Sequence, residues 1–362
     1  METYGNVSET ERGRLCFMKT PNHILVFQTA FLGDVILTLP MIQVLHKRFP
    51  LASIDVVTTP IASELLAHHP AISNVIRYDK RKTQKGISGM LSLASQLRKR
   101  HYDLAVVPHR SFRTSLIVGL SGINNRIGFS TASGSFFYTH IVKYEKSKHE
   151  IERNLSLIFP LDIFVEHKEL PSLYPSSSER TAIDQFLFER EILNYHMLIA
   201  IAPGSVWKTK RWLIERFSEL SKILADAGFE IIIIGGKEDA ELGKSIIETA
   251  KHKNIHDATG KMTLLQSAEL IRRCKTLVTN DSAPLHISVA MRTPVVAIFG
   301  ATVPEFGFAP YGKDDVVVET KNLSCRPCAI HGGNECPIGT FVCMKNIEAV
   351  AVAAKVKSLI IK

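Results

Sequence analysis

The sequence predicts an α/β protein built from two parallel-sheet domains, and three observations carry that expectation. At 362 residues the chain exceeds the size at which a single hydrophobic core keeps growing. From Asn22 onward short apolar runs alternate with helical patterns, and runs such as the four isoleucines before Gly235 or Val-Val-Ala-Ile-Phe at 295–299 are apolar at every position. Strands covered on both faces have that composition. The alternation breaks at a proline- and serine-rich stretch between Leu170 and Glu179, unable to continue helix or sheet, and then restarts.

In the first half the pattern predicts strands at His23–Phe27, Ile54–Thr58, Val75–Tyr78, Leu104–Pro108 and Arg126–Phe129, with helices at Asp34–Phe49 and Ile87–Arg100. After the linker it predicts strands at Met197–Ala202, Glu230–Ile234, Leu277–Asn280 and Val295–Phe299. Helices are expected at Leu213–Ala227, Ala240–Ala250, Pro284–Met291 and Ile347–Ile361. Ligands of open parallel sheets sit at the carboxyl ends of the strands, so the residues just past each run are the functional candidates.

Composition narrows the function classes. No run of about 18 apolar residues occurs, which predicts no transmembrane helix, and the charged first twenty residues lack the apolar core of a signal peptide. A cytoplasmic protein is expected. The formal charge is +9, and Arg77–Arg113 holds ten Lys or Arg against Asp79 and Asp103 alone. A local excess of eight points to an anionic partner such as phosphorylated lipid headgroups, not to general nucleic-acid affinity; a solvated loop and helix is the plain alternative. Of six cysteines, Cys16 and Cys274 stand alone, while Cys325, Cys328, Cys336 and Cys343 cluster. Zinc is one reading of the four, with His331 as an alternate ligand, although the second pair is spaced six apart.

Four segments carry chemistry. Gly33 and Asp34 follow the first strand on a turn into a helix, where Asp34 either caps that helix or serves as a general base. Helix amides stabilise a carboxylate, which suits the first role and opposes the second. Pro203-Gly204-Ser205 with Lys208, Lys210 and Arg211 suits a diphosphate, through backbone amides and point charge; the Walker pattern is absent. Gly235 and Gly236 lead into Glu238 and Asp239, placed to meet a ribose diol or to start the next helix. No G-x-G-x-x-G occurs, which argues against a dehydrogenase. In V-T-N-D-S-A-P-L-H, Asp281 is expected to cap a helix whose Ser282 and Ala283 amides form an anion cradle, with His286 one turn from Ser282.

Taken in order, F-L-G-D-V-I-L-T-L-P, P-H-R-S-F-R with N-R-I-G-F, P-G-S-V-W-K-T-K-R-W, N-D-S-A-P-L-H and P-V-V-A-I-F-G-A-T resemble glycosyltransferase family 9, the ADP-heptose:lipopolysaccharide heptosyltransferases, from about residue 22 to the C-terminus. The resemblance implies a GT-B arrangement, two Rossmann-like domains facing across a cleft. Residues 1–21 would be a loose extension, 22–172 the acceptor domain, 180–345 the nucleotide-sugar domain, and 346–362 a helix packing back on the N-terminal domain. Asp34 would be the catalytic base. Ser205, Val206 and Lys210 would surround the donor phosphates, Glu238 the ribose and Met262 the base, while Asp281, Ser282, Ala283 and His286 would hold diphosphate and heptose. His109, Arg110, Arg113 and Arg126 look like the family's acceptor-side residues. Two departures are Ala283-Pro284 where the family usually has a small flexible residue, and Asp239 competing with Glu238.

The activity so implied is inverting, metal-independent transfer of L-glycero-D-manno-heptose from ADP-L-glycero-D-manno-heptose to the anionic inner core of lipopolysaccharide, with no cofactor. The enzyme would sit peripherally at the inner face of the cytoplasmic membrane. The tail C-R-P-C-A-I-H-G-G-N-E-C is similar to that of many second heptosyltransferases, favouring the second heptose. The alternatives are another nucleotide sugar, or a non-catalytic protein binding anionic lipid or nucleic acid.

Overall fold

The computed structural model describes residues 20–192 and 195–360; Cys16 and all but the end of the expected N-terminal extension lie outside them. The first sheet holds β1 (His23–Phe27), β2 (Ser53–Thr58), β3 (Asn74–Arg77), β4 (Leu104–Val107), β5 (Asn125–Phe129) and β6 (His140–Val142), and the second β7 (Leu198–Ala202), β8 (Glu230–Ile233), β9 (Ile255–Asp257), β10 (Thr276–Asn280), β11 (Val295–Phe299) and β12 (Val316–Glu319). All pairings are parallel, in the orders β3-β2-β1-β4-β5-β6 and β12-β11-β10-β7-β8-β9. The expected class, two doubly wound parallel sheets, is thereby met.

The helices are α1 (Leu32–Arg48), α2 (Pro60–Leu65), α3 (Gly86–Arg98), α4 (Phe112–Leu120), α5 (Glu150–Ser156), α6 (Ser177–Phe188), α7 (Ile214–Asp226), α8 (Ala240–Ala250), α9 (Leu264–Arg273), α10 (Ala283–Ala290), α11 (Val342–Lys345) and α12 (Ala349–Ile360). The all-apolar runs are the central strands: every residue of β7, β10 and β11 is buried. That is why a period-two pattern is missing from them. α9 went unpredicted although Thr263 and Gln266 form a reciprocal capping box at its start, a signal readable from T-L-L-Q.

Two units result, one of residues 20–30 with Leu37–Glu145 and Glu150–Glu169, the other of Phe31–Ile36, Lys146–His149 and the chain from Leu170 onward. The first turns of α1 thus belong with the second sheet's unit. The terminal helix α12 departs from the expectation that it covers the first domain. It packs on α7, β10 and β11, where Val352, Ala353 and Val356 join Ile199, Phe217 and Ile298 in one core. A stripe recurring at positions 349, 352, 353 and 356 seals the nearest open sheet face.

Candidate functional site

In the second sheet the chain runs outward from β7 through β8 to β9, then returns to add β10 on the other side of β7. The carboxyl ends of β7 and β10 therefore flank the switch point, where two loops diverge and leave a crevice. Asn280, the last residue of β10 and fully buried, holds both ends of the β7 loop. Its Nδ2 donates to Pro203 O at 2.8 Å, and its Oδ1 accepts from the Trp212 amide at 2.9 Å. This positioning residue was overlooked in the sequence, where Asn before Asp reads as a turn.

Asp281 does not cap α10. Ser282 is the cap residue, in extended conformation and without a side-chain bond to the helix, while Asp281 Oδ2 pairs with Lys210 Nζ at 2.5 Å and accepts from Thr302 Oγ1 at 2.7 Å. A carboxylate capping a helix would spend its charge on amides; this one neutralises a mostly buried ammonium. Ser282 and Ala283 head the helix as expected, so its positive dipole end follows directly on the residue that pairs with Lys210. Ser205 O accepts from Arg211 Nε at 2.7 Å, leaving the Val206 side chain exposed.

His286 lies on α10 one turn below Ser282 and is buried. Burial foremost, then His149 and Lys210, lowers its pKa to about 3, so the imidazole is neutral in ordinary buffers and acts as a hydrogen-bonding group, not as a cation. Its ring is the wall against which α1 starts. A Cβ on Gly33 would stand 2.8 Å from His286 Cδ2, so only glycine permits this approach. Asp34 is the third residue of α1, not its cap, and its Oδ2 accepts a 3.2 Å bond from the amide of Phe31.

Of the two acids after β8, Asp239 is turned inward. Its Oδ2 accepts from the Gly236 amide at 3.0 Å, and any Cβ on Gly204 would collide with its carboxylate. Burial foremost raises its pKa, against the Gly236 bond and Arg211. Glu238 is exposed, and Met262 is half-buried. The cysteine segment also reaches this loop: Thr209 N donates to Gly333 O at 2.9 Å and Gly333 N to Thr209 Oγ1 at 2.7 Å. For the zinc reading of the four cysteines, among the described residues no three His, Cys, Asp or Glu are grouped so that they could hold a metal ion. Cys343 is in the core, Cys328 donates to Cys325 O, and Cys336 accepts from the Phe341 amide. His331 lies beside the Phe31 ring instead.

The first sheet has its own switch point, between β1 and β4. There His109 Nδ1 meets Thr114 Oγ1 at 2.7 Å and Thr29 Oγ1 at 3.2 Å, and Lys80 Nζ donates to Thr29 O at 2.8 Å. Burial foremost, with Lys80 and Arg110, lowers the His109 pKa to about 4. Arg110 stacks over the Tyr144 ring at 4.1 Å. Lys80 was missed, although its place just past β3 within the basic stretch marks it. Arg126 does not join this group: it stands at the amino end of β5, where its guanidinium donates to the carbonyls of Ile123, Asn124 and Phe137. Three carbonyls thus hold this cation against the loops that flank β5.

The chain is 28% identical to lipopolysaccharide heptosyltransferase 2 of Escherichia coli K12 over 296 residues, 78% of this chain and 84% of that one. Its fold matches a family 9 glycosyl transferase from Veillonella parvula at TM-score 0.82 and 25% identity, covering 94% and 97% of the two chains. It also matches the E. coli ADP-heptose lipopolysaccharide heptosyltransferase II at TM-score 0.76 and 23% identity, covering 94% and 98%. The family model for glycosyltransferase family 9 (heptosyltransferase) matches residues 90–336. With two doubly wound sheets and polar groups gathered at both switch points, the chain belongs to glycosyltransferase family 9, the heptosyltransferases, and is a glycosyltransferase.

Proposed function

We propose that this enzyme transfers L-glycero-D-manno-heptose from ADP-L-glycero-D-manno-heptose onto the inner core of lipopolysaccharide, as its second heptose, with inversion and without a metal. The names of the relatives, lipopolysaccharide heptosyltransferase 2 and ADP-heptose lipopolysaccharide heptosyltransferase II, supply substrate and donor. One observation carries the mechanistic part: the glycine preceding Asp34 packs on His286, one turn from the Ser282–Ala283 helix start and within the field of Lys210.

On this reading Asp34 takes the proton of the acceptor hydroxyl as that oxygen bonds to the anomeric carbon and the bond to ADP breaks. Negative charge grows on the departing diphosphate, where Lys210, the Ser282 and Ala283 amides and the Ser205–Val206 backbone stabilise it. Asp281 then keeps Lys210 in position, and exposed Glu238 is the acid for the ribose, with Met262 beside the base. His109, Arg110, Arg113 and Lys80 receive the anionic acceptor. The 22–172 and 180–345 segments are its acceptor and donor domains, and the enzyme works in the cytoplasm at the inner membrane that carries its lipid-borne acceptor.

Asp34→Ala tests the assignment. Thermal stabilisation by ADP is expected to persist, while transfer falls by roughly 10² to 10⁴ fold, the usual effect of losing a general base. Loss of ADP stabilisation in step with turnover would remove Asp34 from that role, and stabilisation by a different nucleotide sugar in preference to ADP-heptose would overturn the donor.

A further inference from the structure

α3 and α4 pack side by side over the core of the first sheet, and each keeps apolar side chains on its outer face. Met90, Leu93, Ala94 and Leu97 point α3 into the core, whereas Ile87 and Leu91, one turn apart on the opposite side, are 71% and 51% exposed. At the start of α4, Phe112 is 49% exposed and packs edge-on against Phe137, which stacks in turn on Phe136, itself 71% exposed. A soluble helix pair ordinarily presents polar residues there. Arg81, Lys82 and Lys85 immediately precede α3, within the stretch that carries nearly all the chain's excess positive charge.

From this combination we infer that the outer face of α3 and the Phe112–Phe136 edge form a docking surface for an anionic phospholipid bilayer. Aliphatic and aromatic side chains enter the headgroup boundary while the lysines and arginines remain among the phosphates, the division of labour of interfacial helices. Charge complementarity selects the occupant: a protein groove would call for a defined counter-shape, whereas an apolar strip headed by three cations suits a fluid anionic surface. Both helices begin at the carboxyl ends of their preceding strands, the edge that also carries Lys80, His109 and Arg110. A lipid-borne acceptor lying in the bilayer would thus extend its charged sugars toward those groups. This last step rests on the proposed acceptor; the docking surface does not.

The test is sedimentation of the full chain with vesicles of phosphatidylglycerol mixed into phosphatidylcholine, and with phosphatidylcholine alone. Expected are binding to the first, much weaker binding to the second, and a decline with rising salt. Ile87→Ser/Leu91→Ser and, separately, Phe136→Ser should each weaken anionic-vesicle binding about tenfold or more. Lys82→Glu/Lys85→Glu should weaken it about fivefold or more per charge removed. Transfer to a delipidated acceptor should be unchanged in all three, which also shows that they fold. Binding by the apolar and charge variants equal to the parent's, or no binding to anionic vesicles at about 0.1 M salt, would overturn the inference. Vesicle binding with no heptosyl transfer would instead sink the proposed function and leave the docking surface standing.

Discussion

The pair Lys210–Asp281 gives a sharp quantitative test of the second unit. Its charges lie 2.5 Å apart with side chains 13% and 8% exposed. At an effective dielectric of about 20 their attraction is about 7 kcal/mol, and desolvation of the two ions costs several kcal/mol each. The terms nearly cancel, so the intact pair contributes little net stability. Removing one partner leaves the other buried with its desolvation uncompensated. Lys210→Met should therefore destabilise by about 3–5 kcal/mol, as should Asp281→Asn to a lesser degree because Thr302 can still bond the amide oxygen. The double substitution should lie within about 2 kcal/mol of the parent. Urea denaturation followed by tryptophan fluorescence reads the right region, because the chain's two tryptophans, Trp207 and Trp212, flank Lys210. Additive losses in the double variant, or a Lys210→Met loss under about 1 kcal/mol, would show that solvent screens the pair and that Asp281 does not hold the lysine.

Two more predictions follow from buried groups. His286, His69 and His109 have pKa values lowered to about 3, about 4 and about 4, in each case by burial first, with nearby His46 adding to the effect at His69. Between those values and 6.5 the unfolded chain binds protons that the folded chain refuses. Stability is therefore full above pH 6.5 and should fall by roughly 1.4 kcal/mol per pH unit per histidine as pH drops toward about 5; an unchanged urea midpoint across that window would refute the neutral assignments. Gly33→Ala, at the second position of α1, should gain up to about 1 kcal/mol from helix propensity alone, yet its Cβ would stand 2.8 Å from a buried imidazole carbon. Overpacking of about 1–3 kcal/mol should win, giving a lower melting temperature and weaker ADP stabilisation, both relieved in a His286→Ala background; a silent Gly33→Ala would disprove the close approach.

The fold was legible because its evidence is local. Predominantly apolar runs, glycine turns after β7, β8 and β11 and a polar linker each occupy a few consecutive residues, so β1, β2, β4, β7, β8, β10 and β11 were expected within a residue or so of where they stand. The strands missed are those whose pattern is too short or too mixed to register. β6 and β9 have three residues each, and β12 is an edge strand of half-buried residues. Helix starts misled for a related reason: Asp34 and Asp281 both sit where a cap is favoured, but the cap is decided by which residue leaves helical geometry, and that falls to Phe31 and Ser282.

What sequence could not reveal was how polar groups far apart in the chain satisfy one another. Nothing around Asp281 announces a lysine 71 positions earlier, nor does Asn280 announce Pro203 and Trp212. These pairings follow from the return of the chain at the switch point, which sets the end of β10 beside the end of β7. An Asn280→Leu or Asp281→Leu change would keep the strand and its apolar period while leaving Pro203 O, the Trp212 amide or Lys210 buried and unmatched, each a loss of about 1–3 kcal/mol or more. Local pattern therefore specifies the scaffold, whereas the loop that would grip a diphosphate is held by two residues whose reason for being polar lies wholly in their distant partners.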